Sequence, residues 1–420
     1  MEVLANNLRE IIENCFLHKL SVNYDELEDH PEYLKWHTIL KKEFGVFQEM
    51  LGKVDLTKKT KESANIVASL IILFYELKAS GPWQEVSSEK YYNKLNEHFY
   101  LFYKTNIESI LTKRQTEDFD VQEIFSECLL ILHGKVTSLD FKKYPCLVEV
   151  YCLLMDNIKD YNVVINPATT LPISLFLIDD YIPANKIKGL RSCTAILNCL
   201  KSHNFAQGNY YEVVYGCLKK LIINSNLEIT KLAMPCILQL LTLIPPEVKV
   251  MDLSYEVYSN VLDQIHTEAN LRRKSTLLND TINLIKIIGI NSAKKNVFKT
   301  IVCDNLDMCR EEGIADVLLL NVLECLSEWI KVCWCVWQIE TDQKLFPLLL
   351  KCLYVYKDTR YEEKLINIIV MLVKITPSDK RTIRKYFNNL YSNNINSNYL
   401  QSTNYYKRLV NQSVSSQWWR

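Results

Sequence analysis

Glycine is the scarcest structural resource in this chain. There are 9 glycines in 420 residues, with only 11 prolines beside them; that is about 2% glycine against a usual ~7%. Glycine supplies positive φ angles, tight hairpins and the close backbone approach of phosphate-cradling loops. A sheet protein of this length would need many more, so the sequence predicts helices joined by short polar turns. The same scarcity argues against β-sandwiches and weakens dinucleotide-binding and P-loop folds.

Hydrophobic residues make up 48% of the sequence, enough for a substantial core at this length. The 49 basic and 49 acidic side chains cancel, so no global field draws the chain to nucleic acid or to an acidic membrane surface. Apolar residues recur at i, i+3, i+4 and i+7 almost throughout, beginning with Leu4, Leu8, Ile11, Ile12 and Cys15. This periodicity predicts helices over 2–20, 31–53, 61–79, 87–113, 119–134, 143–159 and 168–178. It continues over 184–202, 209–224, 228–244, 252–266, 268–289, 293–311, 314–337, 342–356 and 361–375. Breakers such as Gly81-Pro82, Asn166-Pro167, Pro183, Pro245-Pro246, Gly289, Gly313 and Pro377 separate them.

About sixteen helices exceed one closed bundle. The expected fold is therefore all-α, an α-solenoid of HEAT/armadillo-like antiparallel helix pairs. The expected organisation is an N-terminal helical region over 1–161, HEAT-like repeats over 162–377 and a polar C-terminal tail over 378–420. One continuous solenoid over 1–377 is the alternative. No apolar run reaches the ~18 residues of a membrane span; the longest, Ile66 to Tyr75, reads as a buried helix. Met1 to Leu20 carries Glu2, Arg9, Glu10 and Glu13, unlike the uninterrupted apolar stretch of a secretory signal. The 14 cysteines sit mostly in apolar helical stretches and read as small buried hydrophobes in a reducing compartment.

The clearest repeat runs from Leu171 to Leu197. An apolar helix ends at Asp179-Asp180, Pro183 follows, and an aliphatic-basic-small triplet, Ile187-Lys188-Gly189, lies in the next helix. Asp180 is positioned to accept from free N–H groups at the start of that helix. Pro183 suits a first helical turn. Gly189, mid-helix, costs about 1 kcal/mol against alanine, and close helix contact is the physical reason to keep it. A weaker unit runs from Tyr210 to Ile244.

The stretch Leu177-Ile-Asp179-Asp180-Tyr181, then Asn185-Lys186-Ile187-Lys188-Gly189, then Cys193 and Ile196, resembles the signature of the Tti2 family, the second Tel-two-interacting proteins. Asp179, Asp180, Tyr181, Lys186 and Gly189 match its pattern. Ala195 stands where the family has histidine. The match covers about 25 residues. The resemblance implies a HEAT-like, non-catalytic scaffold of the TTT complex, partnered by the Tel-two protein and the first Tel-two-interacting protein. That complex works with the ninety-kilodalton heat-shock chaperone system in the maturation of phosphatidylinositol 3-kinase-related kinases, which bears on DNA-damage signalling. A cytoplasmic location, with access to the nucleus, follows from the same resemblance. On this reading Asp179, Asp180, Tyr181, Lys186, Ile187 and Gly189 form the family motif and a contact surface.

Other constellations read as structure. Asp179-Asp180 lacks a neighbouring nucleophile or histidine and fits a capping turn better than a carboxylate pair. Cys333-Trp-Cys335 has the wrong spacing for zinc, and the seven histidines are dispersed. No cofactor or metal site is expected, and no motif points to an enzyme. The basic clusters Lys58-Lys59-Thr60-Lys61, Arg272-Arg273-Lys274 and Lys380 to Lys385 read as solvated helix faces. Trp418-Trp419 near the C-terminus either anchors on the solenoid or a partner, or ends an unstructured tail. A different HEAT/armadillo adaptor, for transport or a phosphatase, is the alternative function; the sparse tryptophans lack the ladder of an importin groove.

Overall fold

Thr60 accepts from the Ser63 N–H and starts a helix that is buried on every side from Ile66 to Leu77. That helix sits at the centre of the first half of the protein. The computed structural model describes residues 2–27, 29–112, 119–205, 209–245, 250–337, 344–356 and 359–375. Among them are 17 α-helices and no strand. The expected tail, including Trp418, Trp419 and the cluster Lys380 to Lys385, lies outside the described residues.

The chain divides into two compact units, Met1–Cys217 and Leu218–Arg420. The first contains α1 (Glu2–Asn14), α2 (Pro31–Leu51), α3 (Lys61–Lys78), α4 (Val86–Tyr103) and α5 (Val121–Lys135). It continues with α6 (Pro145–Asp156), α7 (Pro167–Asp179), α8 (Pro183–Cys199) and the single turn α9 (Ser202–Phe205). Helix α10 (Tyr210–Lys219) carries the division. The second unit contains α11 (Leu227–Leu243), α12 (Val250–Thr267), α13 (Leu271–Ile288), α14 (Val297–Met308), α15 (Glu312–Cys333), α16 (Leu345–Val355) and α17 (Glu362–Ile375).

In the second unit, α12, α14 and α16 pack in one row, while α11, α13, α15 and α17 pack in another. Each row contacts the other through consecutive helices such as α12 with α13 and α14 with α15. This two-row stacking of antiparallel pairs is HEAT-like and needs only near neighbours. Arg273 pins one step of it. Its side chain, 2% exposed, donates to the Ile222 carbonyl at 2.9 Å and to Thr230 Oγ1 at 3.0 Å, and pairs with Glu268. Lys274 is buried beside it. The expectation of a solvated face over 272–274 is therefore wrong for these two residues. The reason is local: the bonds Arg273 makes satisfy orphan groups at the neighbouring turn, which offsets its desolvation.

In the first unit α3 is wrapped by α1, α4, α5 and α6, which explains its apolar run. Two predicted helices are cut short. The helix expected over 2–20 ends at Asn14, because buried Glu76 of α3 accepts the Leu17 N–H at 2.9 Å and Trp36 Nε1 takes the Cys15 carbonyl at 2.8 Å. The helix expected over 87–113 stops at Tyr103, where Lys104 turns left-handed at φ 53°. Helix α15 likewise ends at Cys333, leaving Cys335 exposed on a 3₁₀ turn and Cys333 buried.

Gly189 lies where α8 presses on α7. A Cβ there would stand 2.7 Å from the Ser174 carbonyl oxygen and 2.8 Å from the Ile178 nitrogen, both backbone atoms that cannot yield cheaply. Gly216 in α10 has nothing within 4 Å. Gly189→Ala is expected to destabilise the protein by about 2–4 kcal/mol. Gly216→Ala should be neutral or stabilise by about 0.5–1 kcal/mol. Urea denaturation compares them directly, and equal effects would refute the close-approach account.

Glu76 is fully buried, and burial pushes its carboxyl up to about 8. The folded protein then keeps a proton that the unfolded chain has released, so stability falls as pH rises from about 5 to about 8, by up to about 1.4 kcal/mol per pH unit. Glu76→Gln keeps an acceptor for Leu17 without the charge. It should match the wild type near pH 5 and exceed it by about 3 kcal/mol at pH 8, measured by denaturation across that range.

Candidate functional site

Three segments distant in sequence meet at the turn between α7 and α8. The irregular stretch after α1 runs beside the 3₁₀ turn Phe141–Lys143, joined by Leu20 N–H to the Lys143 carbonyl and Tyr24 N–H to the Lys142 carbonyl, each at 3.0 Å. Helix α7 ends at Asp179, Asp180 leaves it in extended conformation, and Pro183 opens α8. These terminations place Asp25, Lys142 and Asp180 side by side.

Lys142 Nζ lies 3.2 Å from Asp25 Oδ2 and 3.1 Å from Asp180 Oδ1. The same ammonium sits 3.7 Å from the centroid of the Tyr181 ring, a close cation–π contact. The Tyr181 hydroxyl donates to Asp25. The other oxygen of Asp180 accepts from the Asn185 amide, whose Oδ1 accepts from the Tyr24 hydroxyl at 2.9 Å. Asn185 is 1% exposed and Asp180 9%. A polar ring thus joins residues up to 161 positions apart.

The charges are locked on. Burial alone would raise the Asp25 carboxyl, but the Tyr181 hydroxyl and the Lys142 ammonium outweigh it and hold the group below its ordinary value. Burial alone would lower Lys142; Tyr181, Asp180 and Asp25 instead hold it well above its ordinary value. A group serving as proton donor or acceptor works best near the ambient pH, so Asp25 and Lys142 are suited to holding geometry.

The motif residues take different places. Asp180 and Tyr181 belong to the ring. Lys186 Nζ donates at 3.0 Å to the Ile178 carbonyl in the last turn of α7, a favourable place for a cation. Gly189 lets the two helices touch, Ile187 is half-buried and Asp179 is exposed. Asp180 does not cap α8 as expected: its backbone partner is the Tyr181 N–H, and the α8 N-cap Ile182 has no side-chain bond. Pro183 at the first turn leaves one fewer N–H there to be answered. Lys142 and Asp25 carry no local sequence signal, since their partners are 117 and 156 residues apart in the bonds they share with each other and with Tyr181.

Beside the ring lies an open groove of about 690 Å³, walled by Tyr24, Asp25, Leu27, Tyr33, Trp83 and Val148, among others. Elsewhere, the cysteines are free thiols. Burial pushes Cys15, Cys152 and Cys309 up to about 12 and Cys128 and Cys146 well above the usual thiol range, which keeps them protonated and poor nucleophiles. Among the described residues no three His, Cys, Asp or Glu side chains are grouped to hold a metal ion, and no helix is long and apolar enough to cross a membrane.

No known family profile matches the chain. A curated relative does. The chain is similar to TELO2-interacting protein 2 of Mus musculus. The two are 21% identical over 326 residues, which is 74% of this chain and 62% of the mouse protein. This chain therefore spans less than two thirds of that relative's length. The similarity reaches far beyond the motif around Asp180 and points to the same Tti2-like kinship. Among solved structures, an engineered protein aligns over 99% of this chain and 96% of its own, with 12% identity and a TM-score of 0.44. The karyopherin Kap121p aligns over 92% of this chain and 32% of its own, at 12% identity and a TM-score of 0.41.

If the ring holds the α7–α8 turn to the N-terminal segment, losing its cation leaves two carboxylates facing each other. Lys142→Met should cost about 2–4 kcal/mol, and adding Asp180→Asn should recover about 1 kcal/mol or more of that loss. A double-mutant cycle in urea tests this; additive effects would show that the ammonium and Asp180 are not coupled.

Proposed function

We propose that this chain is a non-catalytic adaptor of the TELO2-interacting protein 2 type. It assembles with the Tel-two protein and the first Tel-two-interacting protein, and it supports chaperone-dependent maturation of phosphatidylinositol 3-kinase-related kinases. The observation that carries this reading is the similarity over 74% of the chain to the mouse protein. Two structural features support it. Stacked helix pairs present an extended surface suited to gripping another chain. The carboxyls brought near neutral pH, Glu76 at about 8 and Asp280 at about 7, are buried at 0% and 6% exposure, where no substrate reaches them.

The tagged full chain, affinity-purified and analysed by mass spectrometry, should enrich both partner subunits in near-equal amounts. Its depletion should lower the steady-state protein level of the kinases while their transcripts stay constant. Absence of both subunits from the eluate, together with unchanged kinase levels, would overturn the assignment.

A further inference from the structure

The groove beside the polar ring has a chemistry that the adaptor assignment does not use. Its deep wall is apolar: Tyr33, Pro145 and Val148 are buried there, and Trp83 meets Tyr33 edge-on with ring centroids 6.2 Å apart. Its rim is acidic. Asp25, Glu26 and Glu149 line it, against the single cation Lys188, which pairs with Glu149. Asp25 is met by Lys142. Glu26 is exposed, and among the described residues its carboxylate accepts from the Asn23 amide, at 2.6 Å, and meets no cation. The wall also contains a donor with no acceptor. Trp83 is 4% exposed and its indole N–H meets no acceptor among the described residues. The turn Ser80–Pro82 lies against the six-membered half of that ring. Gly81 is required there, since a Cβ would fall 2.4 Å from the Trp83 ring.

We infer that this groove is a docking site for an extended peptide segment of a partner protein, one that places an arginine or lysine next to an apolar side chain. The apolar side chain covers Tyr33 and Val148. The cation answers Glu26 at the rim, where charge complementarity fixes register and discriminates against acidic segments. A peptide backbone supplies the carbonyl that the Trp83 N–H lacks, once the Ser80–Pro82 turn eases outward. A volume of about 690 Å³ is in the range of working binding clefts. The polar ring keeps the Tyr24–Asp25 wall rigid, so little ordering entropy is lost on docking.

The full-length chain is applied to an array of random ten-residue peptides, with Glu26→Lys and Trp83→Phe in parallel. Glu26 is exposed and outside the polar ring, so the lysine variant should keep the wild-type melting temperature; Trp83→Phe retains an apolar ring and removes the donor. The expected result is enrichment of peptides pairing Arg or Lys with an apolar neighbour. Glu26→Lys should weaken these about tenfold, and Trp83→Phe should weaken them with no change in the charge preference. Hydrogen exchange with the best peptide should protect 24–27, 80–83 and 145–149. No bound peptides, no basic preference, an unaltered Glu26→Lys profile or protection elsewhere would each overturn the site. Co-purification of the two partner subunits is scored separately: intact assembly with a failed array removes this inference alone, and the converse removes the adaptor assignment alone.

Discussion

The interaction on which the candidate site depends is one ammonium shared by two carboxylates under an aromatic ring. Lys142, between Asp25 and Asp180 and beneath Tyr181, fastens the segment after α1 and the turn before α6 to the joint between α7 and α8. Buried charge is costly unless every group is answered. Here Asn185, itself held by the Tyr24 hydroxyl, completes the bonding of Asp180, and Tyr181 completes that of Asp25. The segment from Asp179 to Gly189 acts first as the anchor of a polar ring, and the adjacent groove borders that ring.

A parallel device recurs in the second unit. Arg273, at the start of α13, reaches back to Ile222 and Thr230 while paired with Glu268. In the second unit the long cation answers a carbonyl that a helix end leaves open, while in the first it answers two side-chain carboxylates. Stacked pairs of this kind rely on near neighbours, so each step needs its own fastening. These cations serve that purpose, in places where exposed basic residues would contribute little.

Much of the helical layout was legible from the sequence. The run Ile66 to Tyr75 announced a helix buried on all sides, and α3 is one. Pro183 and Gly189 were readable because their constraints are local: a missing N–H and a missing Cβ. The failures are equally physical. Nothing near residue 15 says that α1 must stop; the acceptor responsible, Glu76, is 59 residues away from Leu17. Arg272-Arg273-Lys274 looked like a solvated face because composition cannot show which carbonyls a neighbouring layer leaves open. Asp180 looked like a helix cap because its real partners lie elsewhere in the chain.

The sequence by itself determined the all-α architecture and the kinship signal. Both are written in short-range terms: a 3.6-residue apolar period, a dearth of glycine, and a compact motif from Leu177 to Ile196. Only the tertiary structure decided which charges are buried, which helices end early, and that an acid-rimmed aromatic groove lies beside the motif. Those outcomes depend on pairs such as Asp25 with Tyr181, 156 residues apart, and no local pattern encodes a contact whose two halves are brought together only by folding.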